Sequence, residues 1–235
     1  QLGPGCHGNN TANGLSPEKA KTYEIGTRYK DDVWGGEVTL FYIDFDDELQ
    51  YISNDVGWTN MGATKHQGLE ASVRYDMAAL APRLEGLSAN AGFTYTRATY
   101  EGDIPSFKGR DLPFYSRQVA NLGLRYEINR WTYNLGAFAQ SKQRSPGNSV
   151  NPDGSFSDDY ITDGSADGRY GDMPGYVLWN VRAGYDFGSQ LSNLKVGAGV
   201  KNLFDHQYYT RSSDNNSGIY VGAPRTFFVQ ASVGF

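Results

Sequence analysis

Aspartates crowd the stretch DGSFSDDYITDGSADGRYGD, among them Asp153, Asp158, Asp159, Asp163 and Asp167. Carboxylate oxygens at that density suit a hard cation such as calcium, but their spacing does not match an EF-hand loop. A solvated acidic loop is the plainer reading, and its glycines and serines also permit it to close over a ligand. SSDNNSG has ordinary turn chemistry, and Arg211 just before it could face a ligand or pair with Asp214. His7, His66 and His206 lie far apart, without metal-ligand spacing. Cys6 is the only cysteine, so it is a free thiol or half of a bridge to sequence outside this chain. No Ser-His-Asp set and no Gly-rich phosphate loop after a strand is evident. These residues suit binding rather than catalysis.

The elements that must position them alternate apolar and polar residues. TYEIGTRY, LEASVRYDM, LSANAGFTY, LRYEI, WTYNLGAFAQ, VLWNVRAGYDF and LKVGAGV each have one apolar face and one polar face. GEVTLFYIDF is less regular, because Phe41 and Ile43 fall opposite Val38 and Leu40. VQASVGF alternates to the end, finishing on Phe235. This gives about nine strands, each long enough to cross a bilayer at a tilt. The chain is all-β, with 29 glycines and 17 tyrosines in 235 residues. Its net charge of -5 argues against nucleic acid. It has no apolar run long enough for a membrane helix. A mean hydropathy of -0.56 is compatible with a membrane barrel, where only every second residue faces lipid.

The polar face carries charge on strand after strand. Glu70, Arg74, Arg125, Glu127, Arg182 and Asp186 are expected to form cross-strand pairs on the wall of a wet lumen. The apolar face, with Tyr, Trp and Phe near strand ends, reads as facing lipid. Connections alternate in length. KDDVW, DMAALAPRLEG, EINRW and GSQLSN are short, whereas the stretches after the second, fourth, sixth and eighth strands are long. Short periplasmic turns and long extracellular loops are the asymmetry of a Gram-negative outer-membrane barrel. The C-terminus then falls on the periplasmic side. A count near nine does not close a single-chain bacterial barrel, so further strands are expected upstream of Gln1. Lipid and lipopolysaccharide are expected partners, the acidic loop meeting divalent ions of the lipopolysaccharide.

Four stretches, in order, resemble the C-terminal barrel part of TonB-dependent outer-membrane receptors: LSPEKAKTYEIGTRYK, HQGLEASVRYD, VKNLFDHQYYTR and GAPRTFFVQASVGF. MPGYVLWNVRAGYDFG and RSSDNNSGIYVGAPRT resemble the ferric citrate receptors among them. The resemblance implies that residues 1–235 are the last nine or so strands of a barrel of about 22 strands. A plug and a TonB-contacting segment would lie upstream. It implies active uptake of a ferric chelate as cargo, with no resident cofactor and no enzymatic activity. In that subfamily an asparagine of the last extracellular loop binds the ligand, and its match is Asn215. A family glutamine in the loop between the second and third strands matches Ser53, next to Asn54, so the chelate need not be citrate. Arg211 is the nearby cation. A passive porin, or a receptor for a non-citrate chelate, is the alternative reading.

Overall fold

The computed structural model describes residues 15–53, 57–60, 62–102, 108–145, 172–188, 193–212 and 219–234. Nine strands form one antiparallel sheet in which each pairs with its neighbours in sequence: β1 (Lys19–Lys30), β2 (Trp34–Asp46), β5 (Thr64–Asp76), β6 (Leu87–Tyr100), β7 (Gln118–Ile128), β8 (Trp131–Gln140), β11 (Tyr176–Asp186), β12 (Lys195–Lys201) and β15 (Thr226–Ser232). Three short two-stranded pairs sit in the long connections. They are β3 (Leu49–Ser53) with β4 (Gly57–Asn60), β9 (Gln143–Arg144) with β10 (Asp172–Met173), and β13 (Tyr209–Ser212) with β14 (Ile219–Val221).

The register aligns the apolar residues in rows across the sheet. Leu124 faces Leu135, which faces Val181, then Val200 and Phe227. A one-residue slip of any strand would turn its apolar set to the other face and break that row. This face stays uncovered: Ile25 is 73% exposed and Val229 77%. An uncovered apolar face of this kind suits contact with lipid, as the sequence predicts. At its short-turn end the aromatics cluster. Trp131 stacks on Tyr133 at 5.9 Å and meets Tyr185 at 4.8 Å, while Tyr29 meets Trp34 at 4.6 Å. Amphipathic rings at this level form an interfacial girdle.

The short turns are built by their own side chains. Asp31 accepts hydrogen bonds from the backbone N–H groups of Val33 (2.8 Å) and Trp34 (2.7 Å). Asn129, in the two-residue turn between β7 and β8, takes φ +54°, a conformation asparagine tolerates well. Gly86 precedes β6 at φ +80°, where a Cβ would collide with the Glu127 carbonyl oxygen.

The polar face differs from the sequence expectation in its pairing. Arg28–Glu37 (3.0 Å) and Asp186–Lys195 (3.0 Å) do cross between strands. Arg125 and Glu127, however, pair two residues apart along β7. Glu70, Arg74 and Arg182 make no ion pair among the described residues. Arg182 instead lies across Gly197 of the next strand. Phe41, which broke the alternation of β2, lies on this face over Gly68, and Phe228 lies over Gly199 in the same way. Aromatic rings here occupy space that glycines leave empty. The last strand also ends earlier than its sequence pattern: the ladder with β12 stops at Ser232. Phe235 lies outside the described residues.

Buried residues gather at the long-loop end. Ala98, Tyr100, Leu112 and Met173 are its apolar members, joined by Thr64, His66, Gln143, Arg144 and Asn202. A barrel wall with lipid on one side and a lumen on the other buries little in itself. Burial begins where the loops fold over its rim.

Candidate functional site

The rim is assembled from the four long connections. After β2, Glu48 accepts a hydrogen bond from the Thr64 hydroxyl. Leu49 N–H donates to Glu18 Oε1 (2.8 Å), and the Asn60 side-chain amide donates to the carbonyls of Ser16 (3.0 Å) and Asp47 (2.6 Å). The β3–β4 hairpin is thus tied to the segment preceding β1. Burial pushes the Glu48 carboxyl above its ordinary range. The Thr64 hydroxyl opposes this shift, and nearby Glu18 adds to it. His66 stands between Phe45 (5.1 Å) and Tyr115 (5.0 Å), edge-on to both rings. Burial, with the Glu48 charge nearby, raises the Tyr115 phenol pKa.

The connection from β6 to β7 folds back on β6. Leu112 N–H donates to the Ala98 carbonyl (2.9 Å), and Tyr100 N–H to the Arg110 carbonyl (3.0 Å). Arg117 holds both carboxylate oxygens of Asp111, at 2.7 and 2.8 Å. Both contacts come from the one Nη2 of Arg117, a charge-assisted pair that ties the start of β7 to the folded-back loop. Phe114 then takes φ +67°, and its N–H donates to the Arg144 carbonyl (2.9 Å). Single bridges join Pro113 to Arg144 and Ser116 to Gln143.

Gln143 and Arg144 link the next two loops. The Gln143 side-chain amide donates to the Thr210 carbonyl (2.9 Å). The Arg144 side chain is 4% exposed and lies 4.0 Å from Asp172, which Lys142 also meets at 2.7 Å. Above them the Arg211 guanidinium sits 4.4 Å from the centre of the Phe114 ring. Residues 113–116, 143–144, 172–173 and 209–211 therefore form one interlocked layer.

The last loop is tied at its base by Asn202, at φ +49°. Its N–H donates to Asn180 Oδ1 (3.0 Å), and its side-chain amide donates to the carbonyls of His206 (2.9 Å) and Ala223 (3.1 Å). Its Oδ1 accepts from His206 N–H (2.8 Å). Asp205 accepts from Arg225 N–H (2.8 Å), with the two side chains 3.7 Å apart. The sequence stretches KNLFD and GAPR are bound to each other through these contacts. Neither Asn202 nor Phe114 was singled out by sequence reasoning. Asn202 carried a signal in its place within VKNLFD, whereas nothing local marked Phe114.

Of the residues expected to bind ligand, Arg211 lies in β13 on the interlocked layer, and Ser53 ends β3 opposite Gly57. Asn54, Asn215, the acidic residues from Asp153 to Asp167, Cys6 and His7 lie outside the described residues. His66 and His206 occupy separate loop bases. Among the described residues no cluster of three or more His, Cys, Asp or Glu could hold a metal ion.

The family model for TonB dependent receptor-like β-barrels matches residues 3–203. This chain belongs to the TonB-dependent receptor family. Its place is the outer membrane of a Gram-negative bacterium, and the family is one of receptors and transporters rather than enzymes. The ferric enterobactin receptor PirA of Pseudomonas aeruginosa is 25% identical over 234 residues, covering 94% of this chain and 28% of PirA. The catecholate siderophore receptor Fiu of Escherichia coli K12 is 26% identical over 240 residues, covering 100% of this chain and 28% of Fiu. Among solved structures, the unliganded ferric citrate transporter FecA is similar with a TM-score of 0.78 and 38% identity, over 92% of this chain and 31% of FecA. The TonB-dependent chain thus spans about three tenths of the length of these relatives.

Proposed function

We propose that the full-length protein imports a ferric chelate across the outer membrane with energy delivered through TonB, and that the chelate is ferric citrate. The observation that carries the citrate assignment is the 38% identity to FecA across 92% of the chain, against 25–26% to the two curated receptors. In this reading residues 1–235 are the C-terminal part of a barrel of about 22 strands. An upstream plug fills its lumen and meets the TonB complex. Asn215 and Arg211 of the last loop, with Ser53 and Asn54 of the loop after β2, face the chelate. An anionic, oxygen-rich complex is held by a guanidinium and neutral hydrogen-bond groups. Ser53 is shorter than the glutamine of the citrate receptors and reaches less far.

A second reading, a catecholate chelate, is favoured by the names of PirA and Fiu. The two separate in one experiment, equilibrium binding of ferric citrate and of ferric enterobactin to the full-length receptor in detergent. The citrate reading expects saturable ferric citrate binding that weakens in Asn215→Ala and strengthens in Ser53→Gln. Binding of ferric enterobactin alone would overturn it in favour of a catecholate receptor.

A further inference from the structure

The lipid face is not smooth near the long-loop end. A trough of about 550 Å³ opens there. Along one register row Phe93 faces Ala120, Ala120 faces Ala139, and Ala139 faces Val177. The order is large, small, small, large, so the two alanines form a floor between a phenyl wall and a valine wall. Gly175 continues the floor toward the loops. Strands about 4.8 Å apart make this floor wide enough for a hydrocarbon chain.

The trough changes character at its loop end, where Gln118, Ser141 and His206 form a polar rim. The rim is held in place. Ser141 N–H donates to the Gln118 carbonyl (2.9 Å), and Gln118 N–H to the Ser141 hydroxyl (3.0 Å). Beyond the rim on the same face comes positive charge. Gln118 faces Tyr95, and Arg97 follows two residues on, about 7 Å farther out. Arg97 is exposed and has no ion pair among the described residues. Lys65 lies on this face one strand away, 3.5 Å from Glu101. From barrel to loops the sequence is therefore apolar trough, hydrogen-bonding rim, cation.

We propose that this surface seats one molecule of lipopolysaccharide, with an acyl chain in the trough over Ala120 and Ala139. Its sugar lies at Gln118, Ser141 and His206, and its phosphate at Arg97. The occupant follows from charge complementarity and position. The trough opens at the extracellular end, in the leaflet built of phosphorylated, acylated glycolipid, and its gradient from apolar to cationic runs in the same direction as that lipid.

Native mass spectrometry of the full-length receptor in mild detergent, titrated with bisphosphorylated lipid A, tests this directly. Wild type should form a saturable one-to-one adduct. Ala139→Trp, which fills the trough, should weaken it about tenfold. Arg97→Gln should weaken it for bisphosphorylated lipid A and leave binding of the dephosphorylated lipid unchanged. Equal adducts in wild type and Ala139→Trp would overturn the proposal, as would phosphatidylglycerol binding as tightly as lipid A. Heat-modifiable gel migration reports folding of each variant, and Ala120→Leu supplies a smaller filling should the tryptophan not fold. Lipid stoichiometry is independent of the chelate, so this result and the ferric citrate result succeed or fail separately.

Discussion

The Arg211 guanidinium stands 4.4 Å from the centre of the Phe114 ring, joining the last long loop to the loop before β7. A cation–π contact at an exposed site contributes about 0.5–1 kcal/mol. If Arg211 acts by holding the last loop in place, Arg211→Ala and Phe114→Leu should weaken ferric citrate binding equally, by roughly two- to fivefold. The double variant should then add nothing further. A larger loss in Arg211→Ala than in Phe114→Leu would assign the guanidinium to the chelate itself. Titration calorimetry on the full-length receptor distinguishes the two.

Asn202 is buried and gives its backbone N–H and both ends of its side-chain amide to the base of the last loop. Asn202→Ala removes the side-chain hydrogen bonds to the backbone of His206 and Ala223, each contributing about 0.5–1.5 kcal/mol. The expected outcome is a lower unfolding temperature in detergent. Asp205→Asn should be milder, because its amide oxygen can still accept from Arg225 N–H.

Gly86→Ala tests the turn before β6. The positive φ and the Glu127 carbonyl together exclude a Cβ. The substitution should destabilise by more than about 1 kcal/mol, measured as the shift of the denaturant midpoint. Alanine at Gly109, also at positive φ but with open space around it, should cost only the backbone strain.

Glu48 gives the rim a pH dependence of defined sign. Its folded carboxyl binds a proton more readily than a free one, because burial disfavours the charge. Its contribution to stability is therefore fully present below the free carboxyl range, near about 4.3. It is lost as pH rises through the higher folded value. Hydrogen-exchange protection factors at Leu49 and Thr64, corrected for the intrinsic rate at each pH, should rise on acidification across that interval. Glu48→Gln, an uncharged mimic of the protonated form, should flatten the dependence.

The wall was legible in the sequence because period-two alternation and connection length are local properties. β1, β8 and β11 lie close to where the pattern puts them. β7 begins at Gln118, earlier than LRYEI suggests, because Val119 on the polar face and Asn121 beside Ala120 blur the alternation. Phe41 looked like a defect in β2 until Gly68, 27 positions later in sequence, was seen beneath its ring. The rim was hidden for the same reason. Phe114, Arg144, Thr210 and Arg211 come together only through loop pairings between distant segments. No spacing rule links Gln143 to a carbonyl at position 210.

The hydrogen bond from Asn202 to the Ala223 carbonyl closes the last loop at its neck. Residues beyond that neck can be exchanged, lengthened or shortened without altering the register of β12 against β15. Behind such a neck, change on the loop side and inheritance of the membrane wall are uncoupled.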